Sequence, residues 1–164
     1  MSSKWATSLF VHANKRAQQT DNNNDGFLDA PLSEQLTVLS RWQYIDAEKG
    51  WVAFASFKAL TDSKQIGELA YVPDLHKFKS QYWGGELDTD TWEFNLKTGY
   101  VDPEIPYRSI GFQSAISHHK QTAYFGNKNY NVSYSSFFHH LVYQSILSNT
   151  LHKFKIGLQH MVDV

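Results

Sequence analysis

Apolar and polar residues alternate with a period of two along most of this chain, which indicates β-strands with one apolar face. The clearest case is residues 87–101, where Trp92, Phe94 and Leu96 fall on one face and Glu93 and Lys97 on the other. The alternation predicts about seven strands, at residues 4–14, 34–45, 51–61, 88–100, 107–120, 131–147 and 151–162. The segment 137–147 is apolar on both faces and is left without an orientation. The predicted fold is therefore all-β, an antiparallel up-and-down meander.

Short and long connections alternate between these strands. The short ones are 46–50, 101–106 and 149–150, and the long ones are 15–32, 62–88 and 121–129. Outer-membrane barrels combine short periplasmic turns with longer extracellular loops, whereas a soluble β-sandwich has no reason to alternate them so regularly. The pattern predicts an open arc of a transmembrane β-barrel, with the three long connections as extracellular, ligand-binding loops.

Strand length and aromatic placement agree with a membrane. The predicted strands exceed the usual five to six residues or so and match the roughly nine to eleven residues of a membrane-spanning strand. Amphipathic aromatic rings collect at the two membrane interfaces of barrels. Six rings at strand ends near the short connections form a predicted interface girdle: Trp5, Trp42, Tyr44, Trp51, Tyr100 and Tyr107.

The composition excludes several classes of protein. Lys and Arg total 15 against 16 Asp and Glu, so no nucleic-acid partner is predicted. The chain has no cysteine, which excludes disulfides, thiolate metal sites and cysteine catalysis. No apolar run reaches the roughly 20 residues of a transmembrane helix, and the N-terminus lacks the apolar region of a signal peptide. No phosphate loop, nucleophile elbow or supported pair of carboxylates indicates an enzyme.

One long connection carries a calcium-loop pattern. Asp21, Asn23, Asp25 and Gly26 occupy positions 1, 3, 5 and 6 of that pattern, Phe27 can offer its backbone carbonyl, and Asp29 falls at position 9. Position 12 is Leu32, so the bidentate Glu of an EF-hand is missing and weak Ca²⁺ binding is expected. An Asn/Asp/Gly turn without metal is the alternative interpretation. The chain has eight histidines, including the adjacent pairs 118–119 and 139–140. Neighbouring residues on a strand face opposite sides of the sheet, so neither pair can bind one metal ion, and the histidines are expected to be scattered polar residues.

Several segments resemble the barrel of TonB-dependent outer-membrane receptors. They are residues 21–32 (DNNNDGFLDAPL), 41–44 (RWQY), 47–51 (AEKGW), 99–113 (GYVDPEIPYRSIGFQ), 119–121 (HKQ), 148–150 (SNT) and 152–155 (HKFK). The resemblance spans almost the whole chain. It implies a middle segment of a barrel of about 22 strands, placed in the outer membrane as part of a full receptor.

The resemblance also implies a function and partners. Such receptors import scarce ligands, such as iron chelates or cobalamin, and are powered through TonB. The expected partners are membrane lipid, the small-molecule ligand, the rest of the barrel and its plug, with TonB acting indirectly through the plug. The plug is absent from this sequence, so a fragment or truncated reading frame is expected. Two alternatives stay open: a soluble calcium-dependent β-sandwich binding module, and a small complete barrel of eight strands.

Overall fold

The seven predicted strands form a single antiparallel sheet in which each strand pairs with its neighbours in sequence. The structure, a computed structural model, describes residues 4–164, with only the backbone at 149 and 150. The strands are β1 (Trp5–Arg16), β2 (Leu32–Asp46), β3 (Trp51–Gly67), β4 (Gly84–Val101), β5 (Ser109–Phe125), β6 (Lys128–Leu147) and β7 (Asn149–Asp163). The all-β, up-and-down antiparallel fold is confirmed. The sheet is open, with β1 and β7 at its edges.

The strands extend further than predicted, mostly on the side of the long connections. The first two of these are reduced to residues 17–31 and 68–83, the second containing a single helical turn, α1 (Pro73–His76). The prediction of a long connection over 121–129 was wrong, because Phe125 pairs with Lys128 and only residues 126–127 join β5 to β6. Residues 128–131 (KNYN) are mostly polar and resemble a loop in sequence, but they pair with β5 in a long hairpin, which turns at Gly126 (φ 63°) and residue 127. Likewise β6 ends at Leu147 and β7 begins at Asn149, so the last short join is Ser148 (φ 67°) and not 149–150.

The sheet is a single layer with almost no core of its own. In residues 4–164 the buried apolar side chains are Tyr71, Ala123 and Tyr124, all near the long-connection end. The accessible surface is 11333 Å², against about 8,300 Å² for a compact globular monomer of this length. No second sheet covers the first, so the sandwich architecture of the soluble alternative is not formed by the described residues. Within residues 4–164, no helix has the length and hydropathy needed to cross a membrane.

Contacts of Asp46 and Gly50 stabilise the short-connection end of the sheet. The Asp46 carboxylate accepts hydrogen bonds from Lys4 Nζ at 2.7 Å and Tyr44 Oη at 3.2 Å. The hydrogen bond from Lys4 holds the pKa of Asp46 below its ordinary value, although burial opposes this effect. Gly50 has φ 71°, and a Cβ there would lie 1.9 Å from the carbonyl oxygen of Val101. The backbone N–H of Val101 donates to Gly50 O at 2.8 Å, so glycine at position 50 lets β3 and β4 meet at the turn.

Candidate functional site

The strand register divides the sheet into two chemically different faces. We call them the band face, which carries Trp42, Leu96 and Phe94, and the polar face, which carries Arg41 and Lys97. Partner residues across a ladder share a face, and Trp42 pairs with Ala55, which pairs with Leu96. On β3 the register places Trp51, Ala53, Ala55 and Phe57 on the band face. It also orients 137–147, which the sequence left open: Tyr143 pairs with Ile110 and lies on the band face.

Aromatic rings line the band face at the short-connection end. Trp5 contacts Tyr44 with ring centroids 4.8 Å apart, and Trp51 contacts Tyr100 at 5.2 Å. Trp42 lies on the same face, and its Nε1 donates to Ser40 Oγ at 2.9 Å. Five of the six residues of the predicted girdle therefore lie on one face at one end of the sheet.

The sixth residue of the predicted girdle does not lie on a strand, and the sequence prediction missed two further aromatic residues of the row. Tyr107 was predicted to begin a strand, but β5 starts at Ser109, so Tyr107 lies in the 102–108 connection, with Lys153 Nζ 5.3 Å from its ring centroid. Tyr143 and Phe154 extend the aromatic row onto β6 and β7, with centroids 5.8 Å apart. Sequence reasoning missed Tyr143 because its segment is apolar on both faces; only the ladder with β5 shows which way it faces.

From the aromatic rings toward the long-connection end, the band face is apolar over only part of the strand length. On β4 it runs from Tyr100 to Trp92, and the next residues on that face are Asp90 and Asp88. At about 3.4 Å per residue, residues 92–100 cover about 27 Å along the strand. On β2 the corresponding segment is 36–44, followed by Glu34. The apolar side chains within these limits are exposed to an extent unusual for a soluble protein, for example Leu9 at 69% and Trp42 at 52%.

The predicted calcium loop forms a compact turn within residues 17–31. The Asp21 carboxylate accepts hydrogen bonds from the backbone N–H groups of Asp25 at 3.2 Å and Gly26 at 3.0 Å. Asn23 Nδ2 donates to Asp25 Oδ2 at 2.9 Å, and Gly26 has φ 83°, as the sharp turn of the pattern requires. Asp21, Asn23 and Asp25 are thus brought into one turn.

The other two predicted calcium ligands, Asp29 and Phe27, make different contacts. Asp29 accepts two hydrogen bonds from Asn22, through N at 2.8 Å and Nδ2 at 2.6 Å, and Phe27 forms a β-bridge with Glu68. No group of three or more His, Asp or Glu side chains within residues 4–164 is arranged to hold a metal ion. Each Asp21 oxygen accepts one N–H and keeps a second lone pair. Oxygens of Asp21, Asn23 and Asp25 accept backbone N–H groups of the same turn, while both hydrogen bonds to Asp29 come from Asn22.

The connection 68–83 is packed against the sheet through one buried tyrosine. Tyr71 donates its hydroxyl to Glu86 Oε1 at 2.7 Å, and Lys77 Nζ donates to Glu86 Oε2 at 2.8 Å. Gly84 makes room for the Tyr71 ring, since a Cβ there would lie 2.2 Å from it. Burial, followed by the hydrogen bond to Glu86, raises the pKa of Tyr71 well above its ordinary value. Residues 84 and 85, which lie within the predicted long connection 62–88, instead begin β4.

The connections at this end form one continuous body. Leu28 N donates to Gly67 O and Leu69 N donates to Gly26 O, both at 2.9 Å, which joins 17–31 to 68–83. Phe78 N donates to the hydroxyl of Tyr124 on β5 at 2.7 Å. Trp83 contacts Phe27 with ring centroids 6.4 Å apart, and Gly126 N donates to Gly84 O at 2.9 Å. The predicted ligand-binding segments 15–32, 62–88 and 121–129 are therefore adjacent in space.

No family model, curated protein or solved structure matches this chain. Its function is therefore inferred from the band face, the aromatic rows and the joined connections.

Proposed function

We propose that this chain forms part of the wall and the extracellular loops of a TonB-dependent outer-membrane receptor, which imports a scarce ligand such as an iron chelate or cobalamin. The observation that carries the proposal is the band face, an apolar surface about 27 Å long with aromatic rings at one end and carboxylates at the other. No second layer formed by residues 4–164 covers it. A bilayer-facing barrel wall has these features.

The backbone pairing supports the same proposal. Unpaired N–H and C=O groups in a bilayer cost several kcal/mol each, so a membrane sheet has to close. Strands β2 to β6 are paired on both sides, whereas β1 and β7 each have one free edge. In the proposed receptor, further strands pair with these two edges and complete the barrel in the outer membrane.

The two ends of the sheet receive different roles. The short connections face the periplasm, and the joined connections 17–31 and 68–83 face outward, where they contact the ligand. The role of this segment is passive and includes no catalysis. The plug inside the complete barrel, pulled by TonB, releases the ligand inward, so TonB acts on this wall only through the plug.

Dilution of the urea-unfolded full chain into phosphatidylcholine/phosphatidylglycerol vesicles tests the proposal. We expect β-type circular dichroism and a blue shift of tryptophan emission with vesicles or detergent micelles, and aggregation in plain buffer. Brominated lipid is expected to quench the emission, because Trp5, Trp42 and Trp51 lie on the band face. A monodisperse monomer that unfolds cooperatively without detergent would contradict the proposal.

We further propose that Ca²⁺ orders the 17–31 connection through Asp21, Asn23 and Asp25. Titration calorimetry of the micelle-bound chain is expected to give a Kd of about 10⁻⁴–10⁻³ M, as in extracellular calcium modules. The double variant Asp21→Ala/Asp25→Ala is expected to abolish the heat signal. Asp102→Ala is the matched control, because Asp102 also caps a turn, accepting from Glu104 N at 3.0 Å, but at the opposite end of the sheet. An unchanged signal in the double variant would show that this loop is not the calcium site.

A further inference from the structure

The band face is not uniform across the sheet, because its histidines lie only on β5 to β7. On β1 to β4 the apolar band carries no histidine and no charged side chain. Polar groups there bond within the sheet, as Trp42 does when its Nε1 donates to Ser40 Oγ at 2.9 Å. On β5 to β7 the same face carries His118, His139 and His160. The two parts of the band face therefore differ in their chemistry.

His139 on β6 and His160 on β7 lie directly opposite each other. Their rings are inclined by only 10° with centroids 6.0 Å apart, and the ring of Phe112 stacks on His139 at 6.2 Å. His160 is exposed and His139 is half-buried. The two imidazoles therefore form one polar pair on the surface of the band face.

The ring nitrogens of this pair have no hydrogen-bond partner within residues 4–164. His118, by contrast, bonds with Ser135 Oγ at 2.9 Å. A neutral imidazole has one N–H donor and one acceptor nitrogen, and lipid chains can satisfy neither. Ionisable side chains inside a membrane usually pair with one another or face protein, so this pair marks a contact with other polar groups.

Apolar side chains surround the histidine pair. Leu158, the residue before it on the band face of β7, is 71% exposed. A polar pair among exposed apolar residues is the arrangement of a protein interface within a membrane, where polar groups bond across the contact and apolar side chains pack around them. The band-face residues that flank the pair along β6 and β7 are Phe137, Leu141, Leu158 and Val162.

We propose that the β5–β7 part of the band face is the interface with a second copy of this chain in the membrane, in which the His139 and His160 imidazoles of one copy hydrogen-bond to those of the other. The inference rests on the proposed function, because only lipid would leave these imidazoles without any hydrogen-bond partner.

Symmetry favours a second copy over an unrelated protein. Two copies inserted with the same orientation are related by a two-fold axis along the bilayer normal, and such an axis leaves the depth of every residue unchanged. The histidine pair therefore meets the same pair, and the apolar residues around it meet apolar residues. Each imidazole both donates and accepts, so the pair is complementary to itself. An unrelated protein would need its own donors and acceptors at this depth.

Cross-linking through single cysteines tests the inference, since the chain contains no cysteine of its own. The full chain carrying Leu141→Cys is inserted into vesicles and treated with a short bismaleimide. Leu36→Cys is the matched control, because both residues lie on the band face of strands paired on both sides, with 39% and 45% exposure, but Leu36 is on β2. We expect covalent dimers from Leu141→Cys and few from Leu36→Cys. Equal yields would indicate random collisions and overturn the inference.

The role of the imidazoles is tested by adding His139→Leu/His160→Leu to the Leu141→Cys chain. The dimer yield is expected to fall about tenfold, because interchain hydrogen bonds are lost while the apolar surface is kept. His140→Leu is the control: His140 is the next residue of β6 but lies on the polar face, so the yield is expected to stay the same. Dimers held by apolar packing or by the free strand edges do not need the imidazoles. An unchanged yield in the double variant would therefore overturn the inference.

Two further outcomes would also decide against this interface. Loss of the dimers on addition of EDTA would show that the imidazoles bind a metal ion, and the hydrogen-bonded interface would fail. Chains that insert into vesicles but stay monomeric would contradict the second copy alone. Failure of the receptor proposal appears separately, as a detergent-free monomer that unfolds cooperatively.

Discussion

Leu96→Arg is expected to destabilise the folded chain in a bilayer by about 2–4 kcal/mol, whereas Asn95→Arg is expected to change its stability by less than about 1 kcal/mol. The two residues are neighbours on the central strand β4, but Leu96 lies in the middle of the apolar band and Asn95 on the polar face. A charged side chain at the bilayer midplane loses its hydration, while one on the polar face stays solvated. The measurement is reversible urea unfolding in vesicles, followed by tryptophan emission.

This pair of substitutions separates a membrane wall from a soluble sheet. In water both positions are partly exposed, so arginine at either one would have a similar and small effect. Equal effects of the two substitutions in vesicles would therefore contradict the assignment of the band face to lipid. Val101→Arg gives a second control, because Val101 is exposed at the end of β4 on the polar face and is expected to tolerate the charge.

Tyr71→Ala is expected to free the 68–83 connection, at a local cost of about 3 kcal/mol or more. Tyr71 is 2% exposed, fills the space left by Gly84 and donates to Glu86, so its removal leaves both a cavity and a carboxylate without that donor. Three kcal/mol corresponds to an increase of about a hundredfold in local opening. Hydrogen exchange of the amides of Leu75 and Phe78 in micelles measures it.

Two variants show whether the effect belongs to the buried ring. Tyr71→Phe keeps the ring and removes the hydroxyl, and is expected to cost about 1–2 kcal/mol. Tyr130→Ala removes a 53% exposed ring from the neighbouring hairpin and is expected to leave exchange in 68–83 unchanged. Unaltered exchange after Tyr71→Ala would contradict the packing role.

The raised pKa of Tyr71 adds a pH dependence to the same experiment. The folded connection favours the protonated hydroxyl, so the stability it contributes is fully present below a pH of about 10, the ordinary pKa of tyrosine. That stability is lost as the pH rises through the higher pKa of the folded state. We therefore expect the protection of the amides in 68–83, measured relative to their intrinsic base-catalysed exchange rate, to stay constant through neutral pH and to fall in strong alkali. Tyr71→Phe is expected to remove this fall in protection.

The register of the sheet follows closely from local sequence. Trp92, Phe94 and Leu96 alternate with charged and amide residues so regularly that a slip of one residue would place Glu93 and Lys97 on the band face. The same reasoning failed for 121–129, because lysines and asparagines resemble a loop but are also tolerated at the solvent-exposed tip of a hairpin. It failed in part for Tyr107 as well, since the start of β5 is set by its pairing with β4 and not by residue type.

The sequence alone determined the number of strands, their antiparallel order and the face that each strand of clear alternation presents, because a period of two is a property of the local backbone. Three features were decided only by the tertiary structure. It joined the connections 17–31 and 68–83 into one body, packed Tyr71 beside Glu86, and placed His139 opposite His160. These residues are far apart in sequence, so their proximity depends on which strands become neighbours and in what register.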